Sequence, residues 1–139
     1  VDYFKSVNDE LGHLAGNQAL EKIAGLIREC VRPTDLVFRY AGDEFAIILP
    51  HTGLEQAANL AEKIRLRVNS QRIEGAEGGR QLSLTIGASE MRPEMRSPEE
   101  LLGLADRALY QGKEAGRNVV ACAVGRAGFK LYPRDQEGR

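Results

Sequence analysis

The sequence predicts an α/β (α+β) sandwich, with helices flanking a largely antiparallel central sheet. Two strand patterns and one helix pattern carry that prediction. Residues 36–50, LVFRYAGDEFAIILP, set two runs rich in β-branched and aromatic residues around a short polar turn, which reads as a β-hairpin. Residues 82–88, LSLTIGA, alternate with period 2 and read as a strand with one buried face. Elsewhere apolar residues recur at i, i+3, i+4 and i+7, the stripe of an amphipathic helix. The order is helix, helix, hairpin, helix, strand, helix, strand. Val1 opens directly on a patterned segment with no start methionine. We read this as a cut inside a larger protein, with at least one strand, the first of the sheet, truncated before Val1.

Residues 1–8, VDYFKSVN, begin extended and turn helical, and this first helix ends near Gly12. A longer helix covers about residues 15–30, with Leu20, Ile23, Ala24, Ile27 and Val31 on one face. Pro33 ends it, since its ring clashes with a preceding helical turn. Residues 32–35, RPTD, lead into the hairpin, where Gly42 frees the turn of a Cβ. After Pro50 a helix runs to about Val68. Thr52 is its expected N-cap and Glu55 completes a capping box. Leu54, Ala57, Ala58, Ala61, Ile64 and Val68 form its buried stripe. Residues 71–80, QRIEGAEGGR, lack an apolar period and read as a Gly-rich loop. Residues 92–96 read as another loop. Ser97, Pro98 and Glu100 then make a helix start by cap, first-turn proline and third-position acid. Leu101, Leu104, Ala105, Ala108 and Leu109 carry this helix to about Glu114, and Gly116 stops it. Residues 118–122 read as the last strand. Residues 123–139 have no period and are expected to form a flexible tail beyond a domain of residues 1–122.

At 139 residues and 42% hydrophobic, the chain is long enough for one domain with one core. A net charge of −1 gives no strong field toward nucleic acid or a membrane, so any polyanion site is local. Cys30 and Cys122 have neither metal-site spacing nor a disulfide framework and read as buried thiols in a reducing, cytoplasmic compartment. No apolar run approaches a membrane span and no signal peptide is visible, so this domain is expected to make no membrane contact. Any anchoring is left to the parent protein.

Several side chains could carry chemistry. Asp43 and Glu44 are adjacent acids on a rigid turn, expected at the end of two buried strands. A fixed pair of carboxylates suits a hard divalent cation, although polar turn residues are also ordinary and solvated. Lys113 and Arg117, at i and i+4, straddle the end of the last helix, and Lys5 follows the first strand end. Gathered near the hairpin tip they would clamp phosphate; taken alone they complement a helix C-terminus. Asn8, His13 and Asn17 lie in or beside the early helices. An amide presents a donor and an acceptor side by side, which suits a base edge, and it equally suits a cap. Nothing in the sequence resembles a Ser/His/Asp triad, a cysteine nucleophile, a P-loop or a dinucleotide fingerprint.

Taken together, four segments resemble the GGDEF domain of diguanylate cyclases, from Val1 to about Val120. They are VDYFKSVNDELGHLAGN, the hairpin RYAGDEFAIILP, the strand LSLTIGAS and the closing ADRALYQGKEAGRNVV, in the family's order. The resemblance implies a palm-like sheet similar to that of class III nucleotide cyclase catalytic domains. It also implies condensation of two GTP into cyclic di-GMP and pyrophosphate by a homodimer, with Mg2+ or Mn2+, under the control of an N-terminal sensor domain. Asp43 matches the metal ligand and candidate base, and Glu44 supports the metal site. Val1 matches the residue offering a main-chain carbonyl to the metal. Gly42 matches the position of close backbone approach to the nucleotide. Lys5, Lys113 and Arg117 match triphosphate contacts. Asn8 matches a guanine-reading position, and His13 and Asn17 fall in the same opening motif. Arg32 and Asp35 match the R-x-x-D of an inhibitory cyclic di-GMP site, with Lys63 where a second arginine often stands; Lys lacks the planar fork.

Three departures from the pattern bear on activity. The leading metal Asp should stand before Val1, and Asp2 matches the second Asp of that motif, so the fragment as given lacks one ligand. Ala41 replaces the signature's first glycine, which is tolerable if its φ stays negative. Asn17 replaces an Asp, exchanging a charged acceptor for an amide and implying weaker GTP binding or relaxed base choice. The competing readings are a degenerate domain that senses GTP or cyclic di-GMP, and a cyclase of relaxed base specificity.

Overall fold

The computed structural model describes residues 1–75 and 78–132. The observed elements are α1 (Phe4–Leu11), α2 (His13–Cys30), β1 (Leu36–Ala41), β2 (Glu44–Ile48), α3 (Leu54–Asn69), β3 (Arg72–Gly75), β4 (Gly78–Gln81), β5 (Ile86–Ala88), α4 (Pro98–Glu114), β6 (Val120–Val124) and β7 (Gly128–Leu131). The α+β class is as expected. Pairing is antiparallel for β1–β2, β3–β4 and β6–β7, and parallel for β5–β6. Among the described residues no helix is long and apolar enough to cross a membrane.

The helix stripes bury as their spacing requires. Ala19, Ile23 and Ile27 of α2 meet Ile64 and Val68 of α3 in the main core, closed by Ile73, Leu82 and Leu84. Strand β6 is buried on both faces. Val120 and Cys122 pack against Ala58 and Ala61 of α3, while Ala121 and Ala123 pack against Leu104 and Ala108 of α4. A parallel-paired strand covered on both sides reads as an unbroken apolar run, and VVACA is one.

Several sequence expectations change. Residues 72–75 and 78–80 of the expected loop are strands: β3 and β4 pair in register from Arg72↔Gln81 to Gly75↔Gly78. Their glycines hide the alternation by which a strand is recognised. The strand expected over residues 82–88 is regular only at Ile86–Ala88, although Leu82 and Leu84 are buried as its alternation requires. The expected tail is folded at its start, where β7 pairs with β6; residues 133–139 lie outside the described residues. Thr52 does not cap α3. Gly53 holds the N-cap position, and the Thr52 hydroxyl donates to the Pro50 carbonyl at 3.0 Å. Ser97 does hold the N-cap of α4 with Pro98 behind it, but its side chain makes no cap bond. The hairpin strands are not buried on both faces. Val37, Phe45 and Ile47 pack toward the core while Leu36, Phe38, Tyr40 and Ile48 are exposed, because β1 and β2 form a two-stranded sheet of their own. Cys122 is a buried thiol, whereas Cys30 is only half-buried; both are free.

Candidate active site

The β1–β2 hairpin carries Asp43 in its turn and Glu44 at the start of β2, both half-buried. A register shift between Arg39 and Ala41 precedes the tip. Arg39 braces the turn, its Nε and Nη2 donating to the Gly42 carbonyl at 2.9 and 2.6 Å. Ala41 is not among the residues with positive φ, so the glycine-to-alanine departure is accommodated without strain. Gly42 is not either, and a Cβ on it would meet nothing within 4 Å. The turn therefore does not need this glycine for its own conformation, contrary to the sequence reading; what the position has is open space.

Val1 and Asp2 tie this tip to the rest of the molecule. The Val1 main-chain nitrogen donates to the Asp43 carbonyl at 2.8 Å, and the Asp2 N–H donates to the Ser83 carbonyl at 3.0 Å. Asp43, Asp2, Glu44 and Lys113 all lie close enough to the Val1 nitrogen to act on it electrostatically. Three carboxylates and the last-turn lysine of α4 thus share one neighbourhood. Two acids of the hairpin and a lysine some 70 positions away in the chain thus act on one main-chain nitrogen, the mix of charges that a phosphate site beside a cation uses.

The Asp2 carboxylate is engaged within the protein. It accepts from Ser83 Oγ at 2.8 Å, Thr85 Oγ1 at 2.6 Å and the Asn118 N–H at 3.0 Å, and the residue is buried. With three hydrogen bonds accepted inside the protein, Asp2 is a structural node, and Asp43 and Glu44 are the acids carried by the tip itself. Hard carboxylate oxygens on a braced turn fit Mg2+ or Mn2+ by donor chemistry. Among the described residues no three His, Cys, Asp or Glu side chains gather as a complete metal site. Asp43 and Glu44 are the acids on the turn, with the Val1 main chain against it.

Arg117 follows α4 in a left-handed conformation, φ 62°, with its guanidinium 5.0 Å from the centroid of the Tyr3 ring. The Arg80 guanidinium lies 5.7 Å from the same centroid. Lys5 sits exposed in the first turn of α1. Asn8 packs across to α2, where a Cβ on Gly16 would collide with its side chain. Glycine at 16 is what lets α1 and α2 approach this closely. His13 begins α2 and Asn17 lies one turn further, both exposed. Among the described residues no hydrogen bond or ion pair joins Lys5, His13 or Asn17 to the hairpin tip.

At the opposite end of β1, Arg32 and Asp35 form a closed pair. The Arg32 Nη2 donates to Asp35 Oδ1 at 3.1 Å, the Pro50 carbonyl at 3.1 Å and Thr52 Oγ1 at 2.7 Å. Hydrogen bonds from the Arg32 side chain hold the Asp35 carboxyl below its ordinary value, against burial that pushes it up. A groove of about 430 Å3 runs beside the pair, lined also by Arg28, Val31, Pro33, Leu36 and Val37. Lys63 is exposed on α3.

Sequence reasoning missed Arg39, Tyr3, Ser83, Thr85, Asn118 and the buried pair Glu62–Arg65. Only the pair left a signal: a Glu and an Arg three apart, interrupting an apolar helix stripe.

Comparison with known proteins gives a consistent result. The family model described as "Diguanylate cyclase, GGDEF domain" matches residues 1–119. The chain is 41% identical over 129 residues to the response regulator PleD of Caulobacter vibrioides, covering 91% of this chain and 28% of that protein. It is 38% identical over 122 residues to diguanylate cyclase A of Treponema denticola, covering 86% of this chain and 32% of that protein. The chain therefore spans about a third or less of the length of these relatives. Among solved structures it is similar to the active GGEEF domain of a diguanylate cyclase from Vibrio cholerae, with TM-score 0.83 and 30% identity, covering 89% of this chain and 78% of that one. It is also similar to the GGDEF domain of DgcB from Caulobacter crescentus, solved in complex with c-di-GMP, with TM-score 0.77 and 33% identity, covering 88% and 72%.

Proposed function

The chain belongs to the GGDEF family of diguanylate cyclase domains, and from that premise we propose that it condenses two GTP into cyclic di-GMP, releasing two pyrophosphates. The observation that carries the proposal is the convergence of Asp43, Glu44 and Lys113 around the Val1 main chain.

Each half-reaction joins the 3′-oxygen of one GTP to the α-phosphorus of the other, with pyrophosphate leaving and the hydroxyl proton removed. Asp43 is the carboxylate that accepts that proton in this reading. Lys113 and Arg117, with Lys5, offset charge on the leaving pyrophosphate. Gly42, with open space at its Cβ position, admits the nucleotide backbone-close. Asn8 reads guanine from α1, with His13 and Asn17 flanking it on α2. Asp43 and the Val1 carbonyl, supported by Glu44, would hold a divalent cation, Mg2+ or Mn2+, which would supply Lewis-acid polarisation of the phosphate oxygens. Each domain holds one GTP, so the reaction takes place across a homodimer, and an N-terminal sensor sets how the two halves meet. Arg32 and Asp35 form the product-inhibition site, supported by the adjoining groove; product must displace Pro50 and Thr52 from Arg32.

The test is incubation of the full-length protein with GTP and Mg2+, with and without ATP, and mass spectrometry of the products. Cyclic di-GMP is the expected product. A mixed dinucleotide would make Asn17 a relaxation of base choice. Bound nucleotide without any product would replace the cyclase by a GTP- or cyclic di-GMP-sensing module.

A further inference from the structure

Three consecutive residues after α4, Gly116, Arg117 and Asn118, have positive φ of 111°, 62° and 48°. Two of them carry a Cβ. Non-glycine residues persist in this region only where their surroundings over-determine them, and such outliers cluster at functional sites. Asn118 is over-determined. Its N–H donates to Asp2 Oδ2 at 3.0 Å and Thr85 Oγ1 at 3.1 Å. Its Oδ1 and carbonyl accept from Arg65 Nη1 at 2.9 and 3.4 Å. Arg65 is itself fixed. It is 6% exposed, and Glu62 takes its Nε at 2.8 Å and its Nη2 at 2.5 Å. A buried, doubly hydrogen-bonded guanidinium on α3 therefore reaches the one turn that connects α4 to β6.

We propose that Arg65, oriented by Glu62 and backed by Asp2, is a positioning residue that sets the direction of Arg117. The turn it holds has Lys113 on one side and Arg117 on the other. The Arg117 guanidinium leaves the turn over Tyr3, the residue after Asp2. One carboxylate thus fixes both the Asn118 backbone and the segment bearing Tyr3. The Glu62–Arg65 ion pair is buried, so it is little screened by salt. The proposal rests on the reading of Arg117 as a triphosphate contact, and it assigns to Glu62, Arg65 and Asn118 a role in substrate affinity without contact to substrate.

A double-mutant cycle on the full-length protein tests this, with GTP affinity read by calorimetry and folding read by thermal melting. Two loosening variants are used. Asn118→Gly removes the side-chain acceptor while tolerating positive φ. Glu62→Gln with Arg65→Met removes the ion pair without stranding a charge. Each is expected to weaken GTP binding on the order of tenfold and to add no further loss in an Arg117→Ala background. Full affinity in a loosened protein, or losses that add to that of Arg117→Ala, would overturn the proposal. If the unmodified protein binds no GTP, the functional reading itself falls. The positioning role is then judged by hydrogen exchange at the Arg117 and Asn118 amides: faster exchange in the Glu62→Gln/Arg65→Met protein upholds it, and unchanged exchange overturns it.

Discussion

Val1 and Asp43, 42 positions apart, are joined by a 2.8 Å hydrogen bond from the Val1 main-chain nitrogen to the Asp43 carbonyl. Through it the segment leading into α1 is registered against the acidic hairpin tip. The bond uses the backbone of Asp43 and leaves its carboxylate for chemistry. The tip is thus held at its main-chain carbonyls, Asp43 by the Val1 nitrogen on one side and Gly42 by the Arg39 guanidinium on the other.

The first prediction follows from that separation of roles. Asp43→Asn and Glu44→Gln keep shape and hydrogen bonding but remove the charge. Product formation is expected to fall by about a hundredfold or more, as when a metal or a base is lost. Thermal melting should stay within a few degrees of the unmodified protein, since neither side chain supports the core. A comparable rate in Asp43→Asn would place the chemistry elsewhere.

Asn17 gives a prediction in the opposite direction. Its side chain is exposed on α2, so Asn17→Asp needs no repacking. A charged acceptor for guanine N–H groups is worth on the order of 1.5–3 kcal/mol, and GTP binding by calorimetry should tighten about ten- to a hundredfold, with stronger rejection of ATP. Unchanged affinity would remove Asn17 from the base site.

Gly16 is a packing position. A Cβ there meets the Asn8 side chain, and Gly16→Ala must push α1 from α2 or turn Asn8 away. Overpacking of this kind costs about 1–3 kcal/mol in denaturant titrations. GTP affinity should fall with it if Asn8 reads the base. Native stability in Gly16→Ala would contradict the close approach described here.

The Arg32–Asp35 pair sets a pH dependence. Asp35 is held below its ordinary 3.8 in the folded protein, first by the Arg32 side-chain hydrogen bonds. An unfolded chain therefore binds that proton more readily. The stabilisation is present above about pH 4 and is lost as pH falls through the folded value. In urea titrations over about pH 2 to 6, Asp35→Asn should flatten the acid limb of the stability curve. An identical acid limb in both proteins would mean the pair contributes nothing measurable, as pairs with a solvent-exposed partner often do.

How far the sequence foretold this structure depended on the range of the interactions. Helices α2, α3 and α4 were legible because Ile23, Ile64 and Leu104 recur at helical spacing with apolar neighbours, and that spacing is local. The β1–β2 hairpin was legible from its composition. Strands β3 and β4 were not, because Gly75, Gly78 and Gly79 leave no side chains to alternate. Strand β7 was not, because GFKL acquires its pairing only from β6. At the candidate site, Asp43, Glu44, Lys113 and Arg117 were named as candidates through motif resemblance. What braces them was not: Asp2 and Asn118 are 116 positions apart and Arg65 and Asn118 are 53 apart, with nothing local to mark either contact. The bonds made by Arg32 to Pro50 and Thr52 were likewise invisible, since neither acceptor carries a charge.

The most direct test of the central claim is the product of the full-length protein with GTP and Mg2+, identified by mass spectrometry beside the Asp43→Asn protein. The account predicts cyclic di-GMP from the unmodified protein and at most about a hundredth as much from the variant. Nucleotide bound by the unmodified protein and left unreacted would contradict it.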